Sequence, residues 1–555
     1  MEDGLYWELE DVHYPDPPSR WGVRLMLEDQ SVGIAELMAE NGLLMDGVRF
    51  REHDGGVYVG FVPLGGKARK PPPNFLMPLL RRLHPEIRRR VKISKERQDA
   101  GIGQQLVDRW LDHEEDDLIA EAFRYLDRDL SELGDEALIA SLDDALEYCF
   151  RALKKHFELH AAGINEIGML GMELNQQHGF TTADIAGLLT GLSDTTTGPA
   201  VAQQEIVDAV DRVNAGDALA NAQSLQSVRA ISVEVDGLIT AYLRDWSRRA
   251  IRYDAAYPTI AEQPDWVLAR LKDLQVRPLA KGLSDAHDAT REEVTARIVS
   301  ALGDTAETRS RIERARRAFP IREGNEAATV GYPLAVARRY AQDFGRRLVA
   351  AGHIADHDHV FDLTVEECVA GVRGSESGLG ELARTRHERR MAGRGDVPLS
   401  FGEEMDAPDL SAFPDHVGHL VNAMLWYTSK LSTTAPPAPD ADPTAAPAVD
   451  GGVGGLGVSP GTYDGPARIV LDEDSFDRIE PGDVLVCPIT SPVWSMVFPA
   501  IGALVCDAGG PLSHPAIIAR EFAIPAVVGT SSGTADLVDG TMIRVDGDAG
   551  TVTPV

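Results

Sequence analysis

The sequence predicts a multidomain α+β protein, with a largely α-helical body joined by a proline-rich linker to a small C-terminal β/α domain. Three observations carry this reading. From about residue 100 to 430, apolar residues recur at three- and four-residue spacing, the period of an amphipathic helix. Residues 432–453, STTAPPAPDADPTAAPAVDGGV, hold almost nothing to bury and read as an extended tether. Beyond them, short β-branched runs bounded by Gly, Pro and Asp alternate with helical candidates.

A chain of 555 residues exceeds one ordinary core, and three or four domains are expected. Residues 1–100 are Pro/Gly-punctuated, hold alternating runs such as GVYVGFVPL, and read as a small mixed segment. Residues 101–431 form the helical body. ELGDEALIASLDDALEYCFRALKKHFELHAAG predicts a helix ending at its glycine, and TTADIAGLLTGL, AQQEIVDAVDRVNAG and LAVARRYAQDFGRRLVAAG repeat the pattern. The linker, 432–453, would reach roughly 60 Å at about 3.1 Å per residue in polyproline geometry, so the domain it carries is expected to travel. In that domain, 454–555, the strands are ARIVLD, DVLVCPI, ALVCDAG, IPAVVG and MIRVDG, and the helices SPVWSMVFPAIG and SHPAIIAREF.

Hydrophobic residues make up 43% and charged residues 25%, the balance of a globular protein. Lys and Arg number 54 against 87 Asp and Glu, a formal charge of −33 that repels polyanions. No nucleic acid and no anionic membrane face is therefore expected as a partner. The arginines at 81, 82, 88–90 and 384–394 read as solvated helix faces. Cys149, Cys368, Cys487 and Cys506 lack a CxxC spacing, which argues against a disulfide framework or a zinc knuckle. The opening MEDGLYWELEDVHYPDPP is no signal peptide, and no run reaches about 18 apolar residues. A cytoplasmic location is expected. His353, His357 and His359, with Asp356 and Asp358, follow a helix-ending glycine rather than lying on a helix face, so no metal site is expected there.

The chemistry concentrates in GGPLSHPAIIAREFAIPAVVG, residues 509–529. A buried strand, ALVCDAGG, leads into a glycine turn. Serine favours the N-cap and proline the first helical turn, so SHP reads as a helix start. His514 thus stands at a helix N-terminus, where amide donors and the positive dipole end favour a phosphoryl group. On the residues alone three roles compete: a neutral structural histidine, a metal ligand, and a nucleophile.

The same stretch resembles the phosphohistidine segment of the swivelling domain of phosphoenolpyruvate-utilising enzymes, which include pyruvate phosphate dikinase, phosphoenolpyruvate synthase, rifampin phosphotransferase and phenylphosphate synthase. GVSPGTYDGPARIV (457–470) and PGDVLVCPITSPVWSMVFPAIGALVCDAGG (481–510) resemble the preceding parts of that domain. The resemblance implies that His514 accepts a phosphoryl group and carries it between two remote sites. Gly509, Gly510, Ser513, Arg520 and Glu521 match the family's supporting loop, whereas Leu512 and Pro515 depart from its usual residues.

Residues 1–430 more weakly resemble the acceptor-binding region of rifampin phosphotransferase, in WELEDVHYPDPPSRW, RRAIRYDAAYPTIAEQPDWVLARL and FPIREGNEA. Arg322 matches an arginine that faces the transferring group there. Glu326 stands where that family has lysine, a carboxylate that suits a general base towards a hydroxyl acceptor. No glycine-rich phosphate loop and no ATP-grasp-like stretch precedes the helical body, and no phosphoenolpyruvate-binding barrel follows. The expected protein is therefore a phosphotransferase subunit. A separate ATP-grasp subunit, holding ATP and Mg2+, would load His514, and a small hydroxyl-bearing acceptor, of phenolic type as for phenylphosphate synthase, would receive the group. The alternatives are a rifamycin-type antibiotic phosphotransferase component and a non-catalytic phosphocarrier.

Overall fold

The computed structural model describes residues 4–66, 76–404, 415–431, 451–490 and 492–555. Of the predicted linker, 432–450 lies outside the described residues. Among those described, no helix is long and apolar enough to cross a membrane, and all four cysteines are buried and free.

Strands β1 (Trp7–Leu9), β2 (Met45–His53), β3 (Gly56–Pro63) and β4 (Ser400–Phe401) form an antiparallel sheet in the order β2-β3-β1-β4. The core and the C-terminal region are built on helices α1 (Asp135–His178), α2 (Thr182–Leu189), α3 (Asp194–Arg212), α4 (Pro264–Val276), α5 (Leu283–Leu302), α6 (Ala306–Glu326), α7 (Tyr332–Ala350), α8 (Asp415–Thr428) and α9 (His514–Glu521). Between α8 and the C-terminus run β5 (Val453–Gly454), β6 (Leu456–Ser459), β7 (Thr462–Ile469), β8 (Val484–Cys487), β9 (Ala503–Cys506), β10 (Ala526–Val528), β11 (Met542–Asp546) and β12 (Thr551–Pro554).

Three expectations need correction. Helix α1 does not stop at Gly163 but runs on to His178. Gly163 packs against α6, where a Cβ would lie 3.4 Å from the Ala318 carbonyl, and burial offsets a propensity loss of about 1 kcal/mol. SPVWSMVFPAIG forms only a short 3-10 turn at Pro492–Met496, since Pro499 disfavours the helical region for the residue before it. The C-terminal domain begins in β5, where Val453 already pairs with Val552.

The chain divides into two compact units, one of residues 1–162, 249–259 and 325–421, the other of 163–248, 260–324 and 422–555. In the first unit, α7 is the spine of the core: Val336, Tyr340, Phe344 and Leu348 are fully buried in one cluster with Leu138, Leu142 and Tyr148. Ser19, which caps the next turn, donates its backbone N–H and its hydroxyl to the buried Asp254, at 2.6 and 2.5 Å.

Burial pushes the nearby Asp29 carboxyl up to about 6, more than Arg24 at 3.5 Å pulls it down. The folded value thus lies above the unfolded one, near ~4, so this contribution to stability is present below pH ~4 and lost as pH rises through about 6. At most it amounts to about 3 kcal/mol. Asp29→Asn is therefore expected to raise the melting temperature relative to wild type at pH 7.5 but not at pH 4. An offset equal at both pH values would refute that account.

In the second unit, α2 packs on α5 and α3 on α4. The C-terminal sheet has the order β5-β12-β11-β7-β8-β9-β10-β6, with β7 to β10 parallel and the rest antiparallel. This explains two sequence patterns. The parallel strands VLVC and ALVC are buried at every position because both faces are covered, whereas β11, MIRVD, alternates because one face meets solvent. Helix α9 packs over β6, β9 and β10, and the 492–496 turn packs on α3. Trp266 of α4 packs against Phe476 with the rings tilted by 51°, at 5.6 Å between centroids.

The Tyr463 ring lies against Gly502, where a Cβ would fall 2.1 Å from it, and its hydroxyl donates to the Gly482 carbonyl at 2.8 Å. Gly502→Ala is expected to destabilise the C-terminal domain by about 1–3 kcal/mol, seen as earlier melting and faster proteolysis of that domain. An unchanged melt would show that the ring moves aside freely.

Candidate active site

Strand β9 ends at Cys506, and the seven residues that follow deliver His514. Asp507 anchors the loop: its carboxylate accepts from the Thr530 hydroxyl at 2.9 Å, from the Thr534 N–H at 3.2 Å, and from the Thr534 hydroxyl. Gly509 turns the chain at φ +119°, a region only glycine enters easily, and a Cβ there would lie 2.9 Å from the Ser513 hydroxyl. At Gly510 a Cβ would lie 2.4 Å from the Lys430 carbonyl. The loop can therefore run alongside the segment after α8. Gly510 N–H donates to the Leu431 carbonyl and Leu512 N–H to the Lys430 carbonyl, both at 3.0 Å.

Ser513 occupies the N-cap of α9 with extended backbone, as predicted, and Pro515 stands in the first turn. The serine hydroxyl does not cap that turn, however; it donates back to the Gly510 carbonyl at 2.7 Å. The side chain thus rigidifies the loop rather than covering the helix end. His514 is the first residue of α9 and is half-buried. At the other end, Arg520 donates to the Val458 carbonyl at 3.0 Å, tying α9 to β6.

Glu521 is only 2% exposed. Its carboxylate accepts from the Gly191 N–H at 2.7 Å and the Thr190 hydroxyl at 3.3 Å, just past the end of α2. The His287 imidazole lies 3.9 Å away. Between α9 and the helices is a small recess with apolar walls, lined by Leu512, Ile517, Arg520, Leu189, Phe319 and Tyr427.

Arg322 lies in α6, one turn after Phe319, and its guanidinium stands 5.9 Å from the centre of the Tyr427 ring. Tyr427 thus touches both the recess beside the histidine loop and the predicted phosphoryl-facing arginine. Glu326, the last residue of α6, belongs to the other unit, where its carboxylate accepts from the Tyr253 hydroxyl at 2.8 Å. The His13 ring sits edge-on to Tyr253 at 5.2 Å and bonds Glu10 at 3.0 Å. Local desolvation would pull the His13 value down although its side chain is exposed, but the Glu10 hydrogen bond and the charges of Glu10 and Glu326 outweigh it and hold it above the ordinary value. His13, Tyr253, Tyr427 and the Thr190–Gly191 turn were not found from sequence, because nothing local marks them.

His353 continues the turn after α7, while His357 and His359 lie in a 3-10 turn (His357–Asp362) with Asp356 and Asp358 beside His357. Among the described residues no group of three or more His, Cys, Asp or Glu is arranged to hold a metal ion.

Residues 479–550 match the family described as PEP-utilising enzyme, mobile domain. The chain is 48% identical over 101 residues to the uncharacterized phosphotransferase YvkC of Bacillus subtilis, covering 18% of this chain and 12% of that protein. It is 30% identical over 332 residues to rifampicin phosphotransferase of Streptomyces sviceus, covering 57% and 34%. With phosphoenolpyruvate synthase of Aeropyrum pernix it shares 36% identity over 185 residues, covering 32% and 21%. The chain thus spans about a third or less of the length of these relatives.

Proposed function

Because this chain carries the mobile domain of the PEP-utilising enzymes, we propose that it is a phosphotransferase whose His514 bears the phosphoryl group in transit. One observation carries the reading: a lone histidine opens a helix directly after a glycine turn, within the matched domain, and that turn is seated beside helices holding Arg322 and Tyr427.

In this reading ATP is the donor, and an ATP-grasp unit on a separate subunit brings it to His514 with Mg2+. The imidazole takes the phosphoryl group as a phosphoramidate. The domain then presents it to a small hydroxyl acceptor, phenolic in our reading, at the helical region. Mass balance gives ATP, acceptor and water going to AMP, phosphate and phosphorylated acceptor. A phosphoramidate has high transfer potential, so the protein need mainly position the acceptor and neutralise charge. Arg322 suits the second task. Glu326, held by the Tyr253 hydroxyl, is the candidate for receiving the acceptor's proton.

A second reading, phosphorylation of a rifamycin-type antibiotic, is favoured by the match to rifampicin phosphotransferase, which extends far beyond the mobile domain. The test is incubation of the chain with a candidate ATP-grasp subunit, magnesium and labelled ATP, with and without phenol or rifampicin. One acid-labile phosphoryl group per chain, chased to one of the two acceptors, is expected. No uptake with any partner would overturn the carrier reading.

A further inference from the structure

A glutamate buried between α9 and the turn after α2 calls for explanation. Glu521 stands in the last turn of α9 in the mobile domain, and its two donors belong to the turn after α2, more than 300 residues earlier in the chain. We propose that Glu521 is a positioning residue: its carboxylate closes the Thr190–Gly191 turn and seats the histidine domain on the helical region for the transfer step. The inference rests on the carrier reading for its purpose, but not for its geometry.

Three features argue for a designed seat rather than incidental burial. The turn is prepared for an anion: Gly191 presents its N–H at φ +68°, and Arg291, bonded to the Thr190 carbonyl and paired with Asp288, brings positive charge beside it. Space there is fixed too, since a Cβ on Gly191 would lie 2.7 Å from the His287 ring and Cβ. The histidine loop is held as well, by the backbone pairs of Gly510 with Leu431 and Leu512 with Lys430. Two seams therefore hold the histidine domain, one through a side chain and one through the main chain.

The chemistry of a carboxylate also suits a joint that must open. An apolar plug in this position would gain from burial alone and would resist release. A carboxylate gives up strong hydration on entering, and its hydrogen bonds in the seat roughly offset that loss. The seated state is then specific in geometry but only modestly favoured, as a shuttling domain requires. The same seat covers Ile517 and Leu512 of the face next to His514, so it must empty before a loading subunit can reach that face.

The test uses the full chain with nitroxide labels on Ser284→Cys, exposed in α5, and Val538→Cys, 64% exposed in the mobile domain. The native cysteines are buried and should not compete. Pulsed electron spin measurements are expected to give one narrow distance for the otherwise unchanged protein. Glu521→Ala should lower the seated-to-released ratio about ten-fold, roughly 1.4 kcal/mol, and broaden the distribution. Glu521→Gln, which keeps an acceptor for the Gly191 N–H, should restore most of the narrow peak. Gly191→Ala, on the other side of the joint, should release the domain without touching its fold. An unchanged narrow distance in both Glu521→Ala and Gly191→Ala, at unchanged melting temperature, would overturn the seat. No ATP, acceptor or loading subunit enters this measurement, so its failure would leave the carrier reading standing, and failure of phosphate labelling would leave the seat standing.

Discussion

Replacing His514 by alanine is expected to abolish acid-labile phosphate uptake from ATP, and with it formation of the phosphorylated acceptor, by at least roughly 10³-fold. No neighbouring side chain takes over. Ser513, the adjacent nucleophile, is buried and spends its hydroxyl on the Gly510 carbonyl. The fold should survive, because His514 is half-buried at a helix start that Ser513 and Pro515 already define. Intact mass after incubation with labelled ATP and a loading subunit gives the readout. Wild type should gain one phosphoryl group and the variant none, at equal melting temperature. Uptake of acid-labile phosphate by the variant would place the carrier elsewhere.

Arg322→Ala is expected to slow the second half of the cycle by roughly 10²–10³-fold while leaving loading of His514 intact, the signature of charge stabilisation at the transferring group. Arg322 stands 5.9 Å from the Tyr427 ring, a contact worth about 0.5–1 kcal/mol. Single-turnover chase of the loaded protein with phenol separates the two halves, and Arg322→Lys should recover part of the rate through its charge. Equal losses in loading and transfer would instead mark Arg322 as a structural residue, and no loss in either would remove it from the site.

How much of this was legible differs residue by residue. The helix start at Ser513–Pro515 was readable because its signals lie within three consecutive residues. The direction of the Ser513 hydroxyl was not, since that depends on where the glycine turn carries the Gly510 carbonyl. The continuation of α1 through Gly163 was hidden because a glycine against α6 gains from close approach what it loses in propensity. Pro320 and the Arg-rich pattern around it gave no sign that Arg322 lies four turns into a helix.

The sequence by itself determined the fold class, a helical body with a small C-terminal β/α domain, and singled out His514 as the residue to test. Strand, glycine turn and helix N-terminus are local features, written in about twenty contiguous residues, 503–522. Tertiary structure alone decided what the histidine domain rests on and which groups stand near it. Glu521 meets Thr190 and Gly191, Gly510 meets Leu431, and Arg322 meets Tyr427 only after segments tens to hundreds of residues apart have packed. Such pairings depend on shape and desolvation summed over the whole core, which leave no local periodicity to read.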